Sequence, residues 1–170
     1  MPKLDKLNNI TGNYYSDEWY TGQETVELCI SLLQPKPRSV ILCPFDSNAS
    51  LFVRELNHRG FTVLNGMTDF LSKHYYADYI MTNPPFSIKD DVIERVYTYG
   101  IPSLLVLPID SIGGVRRHKL YKEHGYPLVY LPSKRIRYYD SNWQAKNGSN
   151  FHSIISMFNT GSDSSLIWEK

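Results

Sequence analysis

The chain has 170 residues, 42% of them hydrophobic, enough for one well-formed core and too few for two ordinary domains. Lys and Arg number 18 against 17 Asp and Glu, which excludes a strongly basic chain that binds nucleic acid through bulk charge and leaves only a local patch for such a contact. The start, Met1-Pro2-Lys3-Leu4-Asp5, has no apolar signal region and no stretch approaches a membrane span, so the chain is read as cytoplasmic with no membrane partner.

Met1 to Tyr15 is polar and weakly patterned. Ser16-Asp17-Glu18-Trp19-Tyr20-Thr21 then leads into Val26, Leu28, Cys29, Leu32 and Leu33, a helical periodicity closed by Pro35 and Pro37. Ser39 to Cys43 predicts a short buried strand, Leu51 to Gly60 a helix, and Phe61 to Leu64 a second strand. Strand, helix and strand joined by short turns form a βαβ unit, which implies a parallel sheet covered on both faces. The alternation continues with strands at Tyr79 to Thr82, Ser103 to Leu107 and Leu128 to Leu131, and helices at Lys89 to Tyr99 and Val115 to Glu123. After a polar, aromatic-rich stretch from Ser133 to Asn150, two late strands, Phe151 to Phe158 and Leu166 to Trp168, read as a hairpin. The expected architecture is α/β: one Rossmann-like domain over residues 1–170, with six or seven mostly parallel strands and an antiparallel C-terminal pair.

In an open parallel sheet, ligands sit beyond the carboxyl ends of the strands where strand order reverses. The strand ends there carry Pro44-Phe45-Asp46, Asp69-Phe70, Asn83-Pro84-Pro85-Phe86 and Pro108-Ile109-Asp110. The third segment carries the most chemistry. Consecutive prolines fix φ and lack N–H groups, so the chain stays extended and the Pro84 carbonyl is left to accept a hydrogen bond. The Asn83 side-chain carbonyl is a second acceptor, and Phe86 offers a ring for stacking. Two acceptors converging on one amino group would hold an exocyclic nitrogen such as adenine N6 and draw its lone pair out of conjugation, ready to attack an activated methyl group. No general base is needed in the motif, because the nitrogen can lose its proton to solvent.

With these landmarks in order, the sequence resembles the small adenine-specific (N6) DNA methyltransferases, especially short versions carried by bacteriophages. The resemblance runs from Asp17 to about Trp168 through Asp17-Glu18-Trp19-Tyr20-Thr21, Ile41-Leu42-Cys43-Pro44-Phe45-Asp46, Asp69-Phe70, Asn83 to Lys89 and Leu105-Val106-Leu107-Pro108. It implies the S-adenosylmethionine-dependent methyltransferase sheet and S-adenosylmethionine as cofactor. Trp19, Tyr20 and Thr21 would lie against its methionine end, Pro44-Phe45-Asp46 would form its floor, and Asp69 and Phe70 would take its adenine by hydrogen bond and stacking. Asn83, Pro84, Pro85 and Phe86 would be catalytic, acting on an adenine extruded from duplex DNA. The chain departs from many relatives in having Cys43 and then Ser47-Asn48-Ala49 where an acidic residue and a glycine-rich turn are usual, Asn65-Gly66 at the second strand end, and Gly22 where proline is frequent. Asp46 is expected to stand in for the missing carboxylate.

Cys29 and Cys43 have no metal-ligand spacing and read as buried free thiols, and the five histidines are scattered, so no metal and no disulfide are expected. Lys134, Arg135, Arg137, Tyr138, Trp143 and Lys146 interleave cations with aromatics, a pattern suited to phosphates and stacked bases. No room remains for a separate target-recognition domain, so specificity would rest on residues 133–150, on a second subunit in a homodimer, or be loose. The same motif would also serve methylation of RNA or of a protein glutamine, and a silent module that kept the fold but lost its cofactor is the reading outside the enzymes.

Overall fold

A computed structural model of the chain describes residues 20–140, 142–145, 152–161 and 166–168. Helix α1 (Gln23–Leu33) buries Val26, Cys29, Ile30 and Leu33, one stripe at three- and four-residue spacing, and ends where Gln34 turns left-handed ahead of Pro35. Strand β2 (Val40–Cys43) leads through a turn to helix α2 (Leu51–His58), whose N-cap Ser50 accepts the Phe52 N–H at 3.2 Å. Strands β3 (Thr62–Asn65) and β4 (Tyr79–Thr82), helix α3 (Lys89–Tyr99), strand β5 (Ser103–Pro108), helix α4 (Val115–His124) and strand β6 (Leu128–Leu131) follow, each within one or two residues of its expected bounds. Strands β8 (Ser153–Phe158) and β9 (Leu166–Trp168) close the sheet.

The seven-stranded sheet runs β3-β2-β4-β5-β8-β6-β9. The first four of these are mutually parallel, and β8 is antiparallel to both β5 and β6. Alternate side chains point to opposite faces. Ile41, Cys43, Met81, Leu104, Val106, Ile155 and Met157 pack under α1 and α2, whereas Leu42, Ile80, Leu105, Leu107, Ile154 and Phe158 pack under α3 and α4. The α/β class and the covered, mostly parallel sheet stand as expected.

The closing strands do not pair with each other as the hairpin reading required. They run in opposite directions, but β6 lies between them: β9 is parallel to β6 (Val129↔Leu166 to Leu131↔Trp168), and β8 sits between β5 and β6. All six residues of β8 are buried. Apolar groups on both of its faces suit a central strand. A two-stranded ribbon was also not foreseen, β1 (Tyr20–Thr21) antiparallel to β7 (Tyr138–Tyr139). Two-residue strands are too short to leave a periodic signal. No helix among the described residues is long and apolar enough to cross a membrane.

Candidate active site

Strand order reverses between β2 and β4. The β2–α2–β3 unit steps toward one end of the sheet over one face, and β4–α3–β5 steps the other way over the opposite face. The turns leaving β2 and β4 therefore flank the crevice at which such sheets take their ligands.

The two turns are joined by one carboxylate. Asp46 is 7% exposed; its Oδ1 accepts Ser50 Oγ at 2.8 Å and its Oδ2 accepts Thr82 Oγ1 at 2.5 Å, and it also takes the backbone N–H of Asn83. Burial raises its pKa from 3.8 to about 6, although all three hydrogen bonds favour the charged form. The turn is braced further by Asn65, whose amide donates to the Asp46 carbonyl (3.2 Å) and to Asn48 Oδ1 (3.0 Å), and by the Met67 N–H on the Pro44 carbonyl (2.8 Å). Thus Asp46, read from the sequence as part of the cofactor floor, spends its carboxylate on fixing the residue that opens the Asn-Pro-Pro-Phe segment. Thr82 was not singled out; a hydroxyl ending an otherwise apolar strand is the signal it left.

Beyond Thr82 the chain is extended, with Pro85 at φ −58° and ψ 127°, before a 3-10 turn over Phe86–Ile88. Asn83 Oδ1 is buried and has no hydrogen-bond partner among the described residues. The Pro85 carbonyl is taken by the Ile88 N–H at 3.1 Å, whereas no described backbone N–H reaches the Pro84 carbonyl. Pro84 is buried, and Pro85 and Phe86 are half-buried, with Phe86 packed against the α1/α2 cluster. A buried acceptor without a donor is unfavourable by about 1–3 kcal/mol, and an amino group presented by a ligand would relieve it.

The remaining expected site residues are divided between surface and core. Phe45 is half-buried at the β2 turn and meets Phe70 edge-on, at 5.5 Å and 79°. Phe70 is 1% exposed and stacks on Tyr99 at 5.4 Å, so its ring is packed on protein. Asp69 is 45% exposed at its side chain and accepts the Tyr75 hydroxyl. Tyr20 stacks on Trp143 at 5.4 Å and 28°, and the buried Thr21 Oγ1 has no partner among the described residues. Gly22 lies so close to β7 that a Cβ would stand 2.9 Å from Tyr139, and its N–H donates to the Arg137 carbonyl at 3.4 Å; a proline here would lose both the room and the bond. Trp19 and Lys146 lie outside the described residues.

Lys134, Arg135 and Arg137 are exposed on the segment leaving β6, and Trp143 is 41% exposed. Because β6 runs parallel to β5, this segment emerges at the same sheet edge as the Asn83 turn. Tyr138 does not join them. It is 4% exposed, its hydroxyl donates to Ser153 Oγ at 2.8 Å, and its ring packs in the core rather than offering a stacking surface. Cys29 and Cys43 are buried and unbonded, with burial raising both thiol pKa values.

No protein-family model and no curated protein sequence matches the chain. Solved structures do. A modification subunit of a putative type I restriction enzyme from Vibrio vulnificus YJ016 superposes with a TM-score of 0.55 at 12% identity, over 97% of this chain and 50% of that one. The 23S rRNA methyltransferase ErmE gives 0.53 at 12% identity, over 86% and 71%. A SAM-dependent O-methyltransferase from Thermotoga maritima gives 0.50 at 11% identity, over 93% and 73%.

The fold is that of the SAM-dependent methyltransferases. The chain spans half the length of the Vibrio subunit. Within this fold Thr21 Oγ1 and Asn83 Oδ1 are buried polar atoms without a partner among the described residues, and Asp69 keeps a partly exposed carboxylate. Thr21 Oγ1 and the exposed side of the Asp69 carboxylate, which also pairs with Tyr75 and Lys73, fit polar groups of a bound S-adenosylmethionine, whereas the buried Asp46 carboxylate is already filled from within the protein.

Proposed function

We propose that the chain methylates the N6 amino group of adenine in DNA, using S-adenosylmethionine. The observation that carries this reading is the buried Asn83 Oδ1, without a partner among the described residues, at the reversal point of a methyltransferase-type sheet. Asn83 Oδ1 and the Pro84 carbonyl accept hydrogen bonds from the two N6 hydrogens. Pro85 keeps the acceptors from rotating away, and Phe86 stacks on the extruded base. The N6 lone pair is thereby freed from the ring, and the proton lost after transfer passes to water. Bound S-adenosylmethionine supplies an electrophilic methyl carbon on a sulfonium; Tyr20, Thr21, the Pro44-Phe45 turn and Asp69 hold it. The role of Asp46 is to lock the Thr82–Asn83 backbone. Lys134, Arg135 and Arg137 take phosphates beside the extruded base, with Trp143 at their edge.

Methyl transfer from labelled cofactor to duplex DNA, RNA and protein, measured side by side, tests the substrate. Label is expected on adenine N6 of duplex DNA, and label confined to RNA or glutamine would overturn the DNA reading. Asn83→Ala should lower the rate about 100-fold or more while calorimetric binding of S-adenosylmethionine persists, and a fully active Asn83→Ala protein would refute the mechanism. One observation favours a silent binding module instead: the Asp46 carboxylate and the Asn65 amide, at the two strand ends where a cofactor is usually held, are both engaged inside the protein. Absence of any heat with S-adenosylmethionine would establish that reading.

A further inference from the structure

Three of the exposed large apolar side chains among the described residues, Ile109, Ile112 and Val115, lie on one stretch that the proposed reaction does not use. Strand β5 ends at Pro108, at the same sheet edge as the Asn83 turn, because β4 and β5 are parallel neighbours. A 3-10 turn, Ile109–Ile112, and two glycines then lead into α4. On this knuckle Val115 is 91% exposed and Ile112 51%. They rim a shallow hollow of about 580 Å³ whose other wall carries His118, Lys119 and Lys122.

The knuckle is clamped to the catalytic turn by charge. Lys89, three residues after Phe86, pairs with Asp110 at 3.4 Å. Arg117 pairs with Asp90 at 2.5 Å and also donates to the Asp110 carbonyl at 2.9 Å, and Arg116 bridges Asp91 (2.9 Å) and Glu94 (2.7 Å). Both arginines are therefore consumed in holding α4 onto the start of α3. Lys119 and Lys122 have no carboxylate within ion-pair distance among the described residues and face solvent. Glu123 is the single acidic residue of α4, against Arg116, Arg117, Lys119 and Lys122. The outcome is two lysines without a carboxylate partner among the described residues, beside two solvated aliphatic side chains, on a helix held by ion pairs against the start of α3.

We infer that this knuckle docks on the duplex DNA flanking the target adenine, with Lys119 and Lys122 on phosphates and Ile112 and Val115 packed on the sugar and base edges beside the vacated position. The inference rests on the DNA reading above. Its chemistry is the usual division of labour on nucleic acid, in which lysines supply affinity through counterion release and apolar side chains pack where a base has been displaced. Lysines without a carboxylate partner, next to solvated aliphatic side chains, match a polyanion that also carries apolar sugar and base edges.

The test is fluorescence anisotropy of a labelled duplex, with wild type, the double variant Lys119→Ala/Lys122→Ala, its conservative counterpart Lys119→Arg/Lys122→Arg, and Ile112→Ser/Val115→Ser, each checked for an unchanged melting temperature. The alanine pair should lower the slope of log affinity against log salt by about 2, the arginine pair should restore it, and the serine pair should weaken binding roughly tenfold. A wild type that binds and methylates duplex DNA, with all three variants indistinguishable from it, would overturn this surface and leave the reaction intact. A wild type with no affinity for duplex DNA would overturn both.

Discussion

Replacing Asp46 by Asn should make the protein more stable at neutral pH and remove the pH dependence that this buried carboxyl contributes. The wild-type carboxyl is buried, and burial raises its pKa from 3.8 to about 6 in spite of hydrogen bonds from Thr82, Ser50 and the Asn83 N–H. The folded state thus holds this proton more tightly than the unfolded chain does. Between about pH 4 and pH 6 the folded state binds the extra proton, so stability falls as pH rises through that window and levels off above it. At about 1.4 kcal/mol for each tenfold change in proton affinity, the full cost of ionising Asp46 is about 3 kcal/mol. An Asn side chain has the same shape, does not titrate, and keeps an acceptor for the Asn83 N–H, while the Ser50 and Thr82 hydroxyls can rotate to accept from its amide. Urea unfolding of both proteins at half-unit steps from pH 3.5 to 7.5 measures the difference directly, because every other titrating group is common to the pair and cancels. The variant's advantage should grow by about 3 kcal/mol from the acid to the neutral end. A difference that stays constant across the window would show that burial does not penalise the charged carboxylate, and the account of this hub would fall.

Thr82→Val, nearly isosteric, removes the hydroxyl donor from Asp46 Oδ2. It should cost about 1–3 kcal/mol at pH 7 and less at pH 5, where protonated Asp46 has less need of the donor; equal loss at both values in urea unfolding would refute the contact. Gly114→Ala meets two obstacles, a φ of +100° and a Cβ 2.9 Å from Arg117 Nη2. A loss of about 1–3 kcal/mol, seen as a lowered melting temperature, is expected, and an unchanged melting temperature would count against the clamped geometry at α4. Cys29 and Cys43 should not react with an aromatic disulfide reagent until the protein unfolds, because burial holds both thiols protonated and out of solvent; rapid labelling of the native protein would contradict the packing of α1 on β2.

Much of the fold was legible because each long element carries its own period. Val26, Cys29, Ile30 and Leu33 mark one face of α1, and Ile41 to Cys43 and Leu104 to Leu107 are continuous apolar runs of the kind that strands covered on both sides require. The sheet order was less legible. Nothing local in Ser153 to Phe158 says whether its neighbour is β9 or β6, since a turn-like connection of polar residues serves a hairpin or a step across one strand equally well. That Asn83, Pro84 and Pro85 leave a strand at the carboxyl ends of the sheet was readable from the apolar run before them and from the prolines that follow. The role of Asp46 was not, because its partners Thr82 and Asn83 are 36 and 37 positions away and only the parallel pairing of β2 with β4 brings them together. Tyr138 was misplaced for a related reason. In Tyr138-Tyr139 the composition is identical at both positions, and only the pairing of β7 with β1 decides which ring turns inward.

The departures from a glycine-rich turn after β2 follow from the same hub. Asp46, Ser50 and Asn65 form a hydrogen-bonded bracket from side chains, so the turn's shape is held without the left-handed backbone that glycine would allow, and none of residues 44–50 has a positive φ. The bracket transmits to the Asn-Pro-Pro-Phe segment: with Thr82 Oγ1 and the Asn83 N–H both bound to one buried carboxylate, Asn83 is pinned from behind and the prolines prevent its escape forward. A segment held in this way is ordered before any ligand arrives, which keeps the entropy of ordering out of a binding step. The same bracket withdraws from a cofactor the groups most often used to hold one. In the proposed reaction cofactor affinity and substrate geometry would draw on the same carboxylate, and the structure has committed it to Ser50 and Thr82.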